Sequence, residues 1–222
     1  MKKIMLSALL VFMFVFAAIV QAGTWEYDFT KVKGDTWKKD WEVIKGEFEL
    51  KDGALLQKTA SGNDNEAFRC LAVTKWEVGD GTIISKVMHF GAGTNDALTF
   101  YRMKDKDNGY ASRLQLDGYL TVGKISAGTH GHIKFVATPI VANKLYTVKI
   151  VLKGDEIRAS VDDVEKVVVS DPFSSKGRIG FGMSRCGQGA ALQYISVTGD
   201  GVTPTAVEPA DKLASTWGAL KK

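Results

Sequence analysis

From about residue 24 to 199 the sequence consists of short alternating runs cut by turn residues, and this is what most limits the fold. The runs include "TWEYDF", "WEVIKGEFEL", "ALLQKT", "AFRCLAV", "GTIISKVMHF", "ALTFYRM", "GYASRLQL", "YLTVGKI", "HIKFVAT", "LYTVKIVL", "EIRASV", "EKVVVS", "GRIGFGM" and "ALQYISVTG". Between them stand "KDG", "GDG", "GAGTND", "DKDNG", "LDG", "KGDE", "VDD" and "SDPFSSKG", whose glycine and Asx residues suit tight turns. No window carries a 3.6-residue apolar period over three turns. About a dozen short strands at this spacing predict an all-β sandwich or barrel. A segment of about 175 residues is long enough to bury a two-sheet core.

The stretch "GYASRLQLDGYLTVGK", residues 109–124, fixes its own register. A two-residue Asp-Gly loop would pair Leu116 with Tyr119 and place Leu120 and Val122 on the face of Arg113 and Gln115. A three-residue loop with Gly118 in the left-handed region instead gathers Leu114, Leu120 and Val122 on one face. Arg113, Gln115, Tyr119 and Thr121 then share the other. A one-residue slip exchanges the two faces, so the apolar pattern favours the three-residue loop. One face is expected to pack on a partner sheet, and the other to meet water or a ligand.

The first 22 residues have the form of a signal peptide: Lys2 and Lys3, the apolar run "IMLSALLVFMFVFAAIV", and small residues ending at Ala22. An uncleaved membrane anchor is the alternative. No later stretch is apolar enough to span a bilayer. The expected location is secreted, periplasmic or at the cell surface. Loss of the two leader lysines lowers the net charge from +4 to +2. With no Lys/Arg block, this balance argues against nucleic acid or anionic lipid as partner. Beyond residue 199, "DGVTPTAVEPADKLASTWGALKK" loses strand alternation and reads as a linker with a short basic tail, 200–222, disordered or serving attachment. The expected domain is therefore 23–199. Cys70 and Cys186 could bridge in an oxidising compartment or remain separate buried thiols.

Four stretches resemble the concanavalin A-like lectin/glucanase superfamily, and within it the laminin-G-like and 3-keto-disaccharide hydrolase branches. They are "DWEVIKGEFELKDGALLQ", "ALTFYRMKDKDNGYASRLQ", "LYTVKIVLKGDEIRASVDD" and "SSKGRIGFGMSRCGQG" with the following "ALQYISV". The resemblance covers about 25–199. It implies a jelly roll of two antiparallel sheets, one concave, with saccharide held in the groove or on edge loops. The fold hosts binding modules and enzymes alike, so activity must be argued from the site.

Tyr101, Arg102, Tyr110, Arg113, Gln115, Tyr119 and Arg185 lie on neighbouring runs of that pattern. Sugars stack C–H faces on aromatic rings and exchange hydrogen bonds with planar polar groups, so these residue types suit a glycan. Tyr110 falls on the core side by alternation. That leaves Tyr101, Arg102, Arg113, Gln115, Tyr119 and Arg185 as ligand-binding candidates, with Arg102 and Arg113 foremost because both match family arginines.

Retaining glycosidases need two carboxyls about 5.5 Å apart. The E-x-D-x-x-E strand motif of family 16 glycoside hydrolases is absent, and "DDVE" at 162–165 sits where a hairpin turn is expected. His130 and His132 alternate on one strand and could share a face, but two imidazoles alone make a weak metal site. "DKDN" at 105–108 and "NDNE" at 63–66 gather hard oxygens, which makes Asp105, Asp107 and Asn108 candidates for calcium. Turn chemistry explains the same residues. There is no G-x-S-x-G nucleophile elbow and no phosphate loop. The expected function is non-catalytic carbohydrate binding. A 3-keto-disaccharide-type hydrolase and a surface structural module are the alternatives.

Overall fold

The computed structural model describes residues 23–57, 70–90, 96–184, 189–200 and 202–204. Within them, strands form two antiparallel sheets of eight. The first sheet runs in the order β13 (Val164–Ser170), β12 (Glu156–Val161), β11 (Leu145–Lys153), β6 (Gly81–His89), β15 (Ala190–Gly199), β4 (Ala54–Gln57) and β3 (Phe48–Lys51), with β1 (Gly23–Asp28) also paired to β15. The second runs β10 (Thr129–Ala137), β9 (Tyr119–Ser126), β8 (Asn108–Gln115), β7 (Asp96–Asp105), β14 (Gly177–Ser184), β5 (Cys70–Val78) and β16 (Thr203–Pro204), with β2 (Trp41–Lys45) on β5. Two antiparallel sheets stacked as a sandwich are the expected all-β jelly-roll class.

The sandwich interior follows from period-two alternation. On β11, Tyr146, Val148, Ile150 and Leu152 turn inward; on β8 and β9, Tyr110, Leu114, Leu120 and Val122 do the same. Each large apolar side chain so buried contributes about 1.5–3 kcal/mol. At one end an aromatic cluster joins the sheets: Trp25 of β1 stacks on Trp76 of β5 at 6.0 Å and meets Trp41 of β2 at 6.3 Å.

The β8–β9 hairpin has the odd loop. Gln115 pairs with Tyr119 and Leu114 with Leu120, Gly118 has φ +99°, and its N–H donates to the Gln115 carbonyl at 3.0 Å. Leu114, Leu120 and Val122 thus share the inner face, as the apolar pattern requires.

Three features depart from the sequence expectation. "WEVIKGEFEL" is not one strand. It breaks at Gly46 (φ +81°), so that β2 joins the second sheet and β3 the first. Glycine occupies that positive φ without a Cβ penalty. Short 3-10 turns occupy Phe29–Lys31 and Gly34–Lys39, burying Phe29 and Trp37. Finally, packing continues past residue 199: Val202 belongs to the core, and β16 pairs with β5 through Thr203 and Pro204. No helix among the described residues is long and apolar enough to cross a membrane.

Candidate functional site

The functional candidates are sorted by the two faces of the second sheet. Directly opposed residues in an antiparallel ladder share a face. On the face turned away from the first sheet, the register gives the row Asp96–Gln115–Tyr119–Ala137, then Leu98–Arg113–Thr121–Phe135, then Phe100–Ala111–Gly123–His132. Ile125 and His130 form the next pair.

This face is not uniformly polar. Leu71, Val73, Leu98, Phe100, Met103, Ala111 and Ile125 make an apolar cluster of their own, with Ile44 against it. The expectation of a wet face is therefore corrected for its β5–β7 side, where these side chains are buried. The polar groups concentrate on β8–β10, where the side chains become progressively more exposed toward the sheet edge.

There Arg113 is the central group. It is 6% exposed, and its Nη2 donates to Oδ2 of Asp96, which is fully buried. Its Nη1 donates to Nδ1 of His130 at 3.5 Å. Arginine has no acceptor, so Nδ1 of His130 is the acceptor and the ring's proton sits on Nε2. Burial, then the Arg113 charge, then His132 push the His130 pKa down to about 3, and the ring is neutral at neutral pH. His130 and His132 stand edge to face at 4.8 Å, so the two imidazoles do share a face. Two buried polar atoms in this row, Arg113 Nε and Thr121 Oγ1, have no hydrogen-bond partner among the described residues. Gln115 lies beside them, 7% exposed. Outermost are two rings: Tyr119, 38% exposed, and Phe135, 64% exposed, meet edge to face at 6.0 Å.

Solved structures share this architecture. The carbohydrate-binding module CBM66 from Bacillus subtilis superposes with TM-score 0.58 at 20% identity, covering 74% of this chain and 94% of that one. A Bacillus subtilis protein of unknown function with a galectin-like fold gives 0.59 at 16%, covering 79% and 96%. A Bacillus licheniformis β-glucanase gives 0.59 at 12%, covering 79% and 97%. The fold is concanavalin A-like. No family model and no curated protein matches the sequence.

Within this concanavalin A-like frame, Arg113, Gln115 and Tyr119 come together as the sequence pattern requires. Tyr101 and Arg102 do not join them, and both are corrections. Tyr101 points into the interior, fully buried, stacked on Tyr110 at 5.8 Å and hydrogen-bonded to Ser112 at 3.1 Å. Arg102 has φ +49° in a bulge that shifts the β7–β8 register after Tyr101. A bulge adds a residue and breaks alternation, and this one turns the guanidinium inward. There Nε donates to the Gly79 carbonyl (3.1 Å), Nη1 to those of Gly154 (2.8 Å) and Ser174 (3.2 Å), and Nη2 to Asp80 (3.0 Å). Arg102 is a clamp on three turns, not a ligand group. Arg185, Cys186 and the "NDNE" segment lie outside the described residues, and so does the question of a Cys70–Cys186 bridge.

The calcium candidates close a turn. Asp105 accepts from the Asp107 N–H at 2.7 Å and the Asn108 side-chain amide at 2.9 Å, while the Asn108 oxygen accepts from the Ala127 N–H at 3.1 Å. No group of three or more potential metal-ligating side chains is found among the described residues. "DDVE" is a hairpin turn as expected, with Asp162 and Asp163 at φ +48° and +63°.

Sequence reasoning missed Asp96 and Phe135, and it placed Thr121 on this face without counting it among the candidates. Asp96 sits at a strand start after "GAGTN" and resembles a turn residue. Phe135 follows a bulge between His132 and Lys134 that spoils simple alternation on β10.

Proposed function

We propose that the protein is an exported carbohydrate-binding sandwich that holds a glycan against the β8–β10 end of its second sheet without cleaving it. The observation that carries this reading is the exposed Phe135–Tyr119 ring pair, standing in register beside Arg113, Thr121 and Gln115. The rings offer an apolar platform for sugar C–H faces. The Tyr119 hydroxyl and the Gln115 amide add neutral hydrogen-bonding groups at the edge of that platform, over the buried Arg113 and Thr121. The binding-module neighbour of the same fold supports the reading. The signal-peptide-like first 22 residues support export, and the tail from about residue 205 would serve attachment.

A glycan-array screen of residues 23–222, with and without chelator, tests it. Binding is expected, unchanged by chelator, reduced at least about tenfold in Phe135→Ala and retained after tail truncation. Failure to bind any glycan would refute it.

A second reading, a glycosidase of the 3-keto-disaccharide hydrolase type, is favoured by the convergence of Asp96, Arg113, His130 and His132. A neutral His130 could accept a proton, although it already accepts from Arg113, and Asp96 is buried against that arginine. Release of reducing sugar from a 3-keto-glycoside, lost in His132→Ala, would establish the enzyme instead.

A further inference from the structure

We infer that this site selects uncharged glycans and discriminates against carboxylated or sulfated ones. The inference rests on the carbohydrate reading above and concerns the charge of the ligand.

Arg113 is the residue that would ordinarily draw an acidic sugar, since its planar fork matches a carboxylate. Here that fork already holds one. Asp96 is fully buried and lies against Nη2, so the pair is closed within the protein. The other terminal nitrogen faces His130, whose ring is an acceptor at 3.5 Å. Burial and the adjacent Arg113 keep that ring uncharged at neutral pH, so it adds no cation. Gln115, Thr121, Tyr119 and Phe135 carry no charge.

The nearby lysine does not compensate. Lys124 pairs in register with Tyr110, so it belongs to the opposite face, where its ammonium binds Asp171 at 3.2 Å and stands over the Phe173 ring. What the surface offers a ligand is neutral: the Tyr119 and Phe135 rings, 38% and 64% exposed, with the Tyr119 hydroxyl and the Gln115 amide beside them. Sugar C–H faces and hydroxyls suit these groups. A carboxylate brought to the same place would lose water and find the Arg113 charge already balanced by the buried Asp96.

The test compares a neutral polysaccharide with the C6-carboxylated form of the same backbone, such as galactan with polygalacturonate or a glucan with its C6-oxidised derivative. Titration calorimetry of residues 23–222 is expected to show the carboxylated form binding at least about tenfold more weakly. Affinity for the neutral form should hardly change between low and high salt, because no counterions are released. Asp96→Asn, which removes the competing carboxylate, should raise affinity for the carboxylated polymer by about tenfold. The wild-type comparison stands even if that variant folds poorly. Equal or tighter binding of the carboxylated polymer by the wild-type protein, or loss of neutral-glycan binding in salt, would overturn the inference and leave the carbohydrate reading intact. If neither polymer of any pair bound, the carbohydrate reading itself would fall, and this inference with it.

Discussion

Ser85 of β6 and Thr99 of β7 meet across the sandwich interior, their hydroxyls 2.7 Å apart and both buried. Each residue belongs to a different sheet, so this hydrogen bond registers one layer on the other in otherwise apolar packing. A buried polar atom deprived of its partner costs about 1–3 kcal/mol, whereas replacing both partners by apolar groups is close to neutral. Ser85→Ala and Thr99→Val should therefore each lower unfolding stability by about 1–3 kcal/mol, and the double variant by clearly less than their sum. Urea unfolding of the four proteins measures the coupling; additive losses would count against the pairing.

Arg102 predicts a larger effect. Its four hydrogen bonds tie the turns at Gly79–Asp80, Gly154 and Ser174 to the β7 bulge. Arg102→Ala strips three carbonyls of this donor, while Asp80 keeps the Gly154 N–H, and should cost about 3 kcal/mol or more at about 1–3 kcal/mol for each unsatisfied buried group. Arg102→Lys should recover only part of this, because one ammonium cannot reproduce the fork. Glycan affinity of whatever fraction folds is expected to match wild type, which separates this arginine from Arg113.

Gly123 carries the His130 ring. A Cβ built there would fall 2.0 Å from Nε2 of His130 and 2.8 Å from the Gly131 carbonyl oxygen. The ring can swing away but the backbone cannot. Gly123→Ala should destabilise by about 1–3 kcal/mol through overpacking, and it should shift the His130 NMR resonances by moving the ring off Arg113. Unchanged resonances would show that the ring does not lie over Gly123.

His89 makes stability depend on pH. Burial pushes its pKa down to about 4 from 6.5, against a weaker opposing pull from the Asp96 charge. The folded state therefore keeps the ring neutral while the unfolded chain protonates it near pH 6.5. Its contribution is full above that pH and is lost as pH falls toward 4, with a slope of about 1.4 kcal/mol per pH unit for one proton. His130, also depressed, adds in the same direction. Denaturation at pH 7, 6 and 5 should show stability falling, with about half the slope removed in His89→Met. A flat profile would contradict the burial of these rings.

The layered fold was legible because period-two alternation and Gly/Asx turns are local. Gly118 and the leucines on either side of it determine one hairpin without reference to anything distant. The site was legible only where the same alternation held. It placed Arg113, Gln115 and Tyr119 on one face, but it failed at Arg102, where a bulge turns the arginine inward; Tyr101, just before the bulge, keeps the alternation and faces the interior opposite Tyr110. It could not pair Arg113 with Asp96, because the bulge between Tyr101 and Asp105 offsets the β7–β8 register and neither strand announces it. Nor could it foresee the break at Gly46, where a continuous apolar pattern satisfies two different sheets.

The placement of β15 has a consequence for how the chain is made. That strand lies between β6 and β4 and also carries β1, so among the described residues these three strands are joined through residues 190–199. Until this stretch leaves the ribosome, the layer exists as unconnected fragments with raw edges, however much of the N-terminal sequence is already out. The protein must then close late and all at once. A chain leaving the ribosome would be held open until β15 arrives.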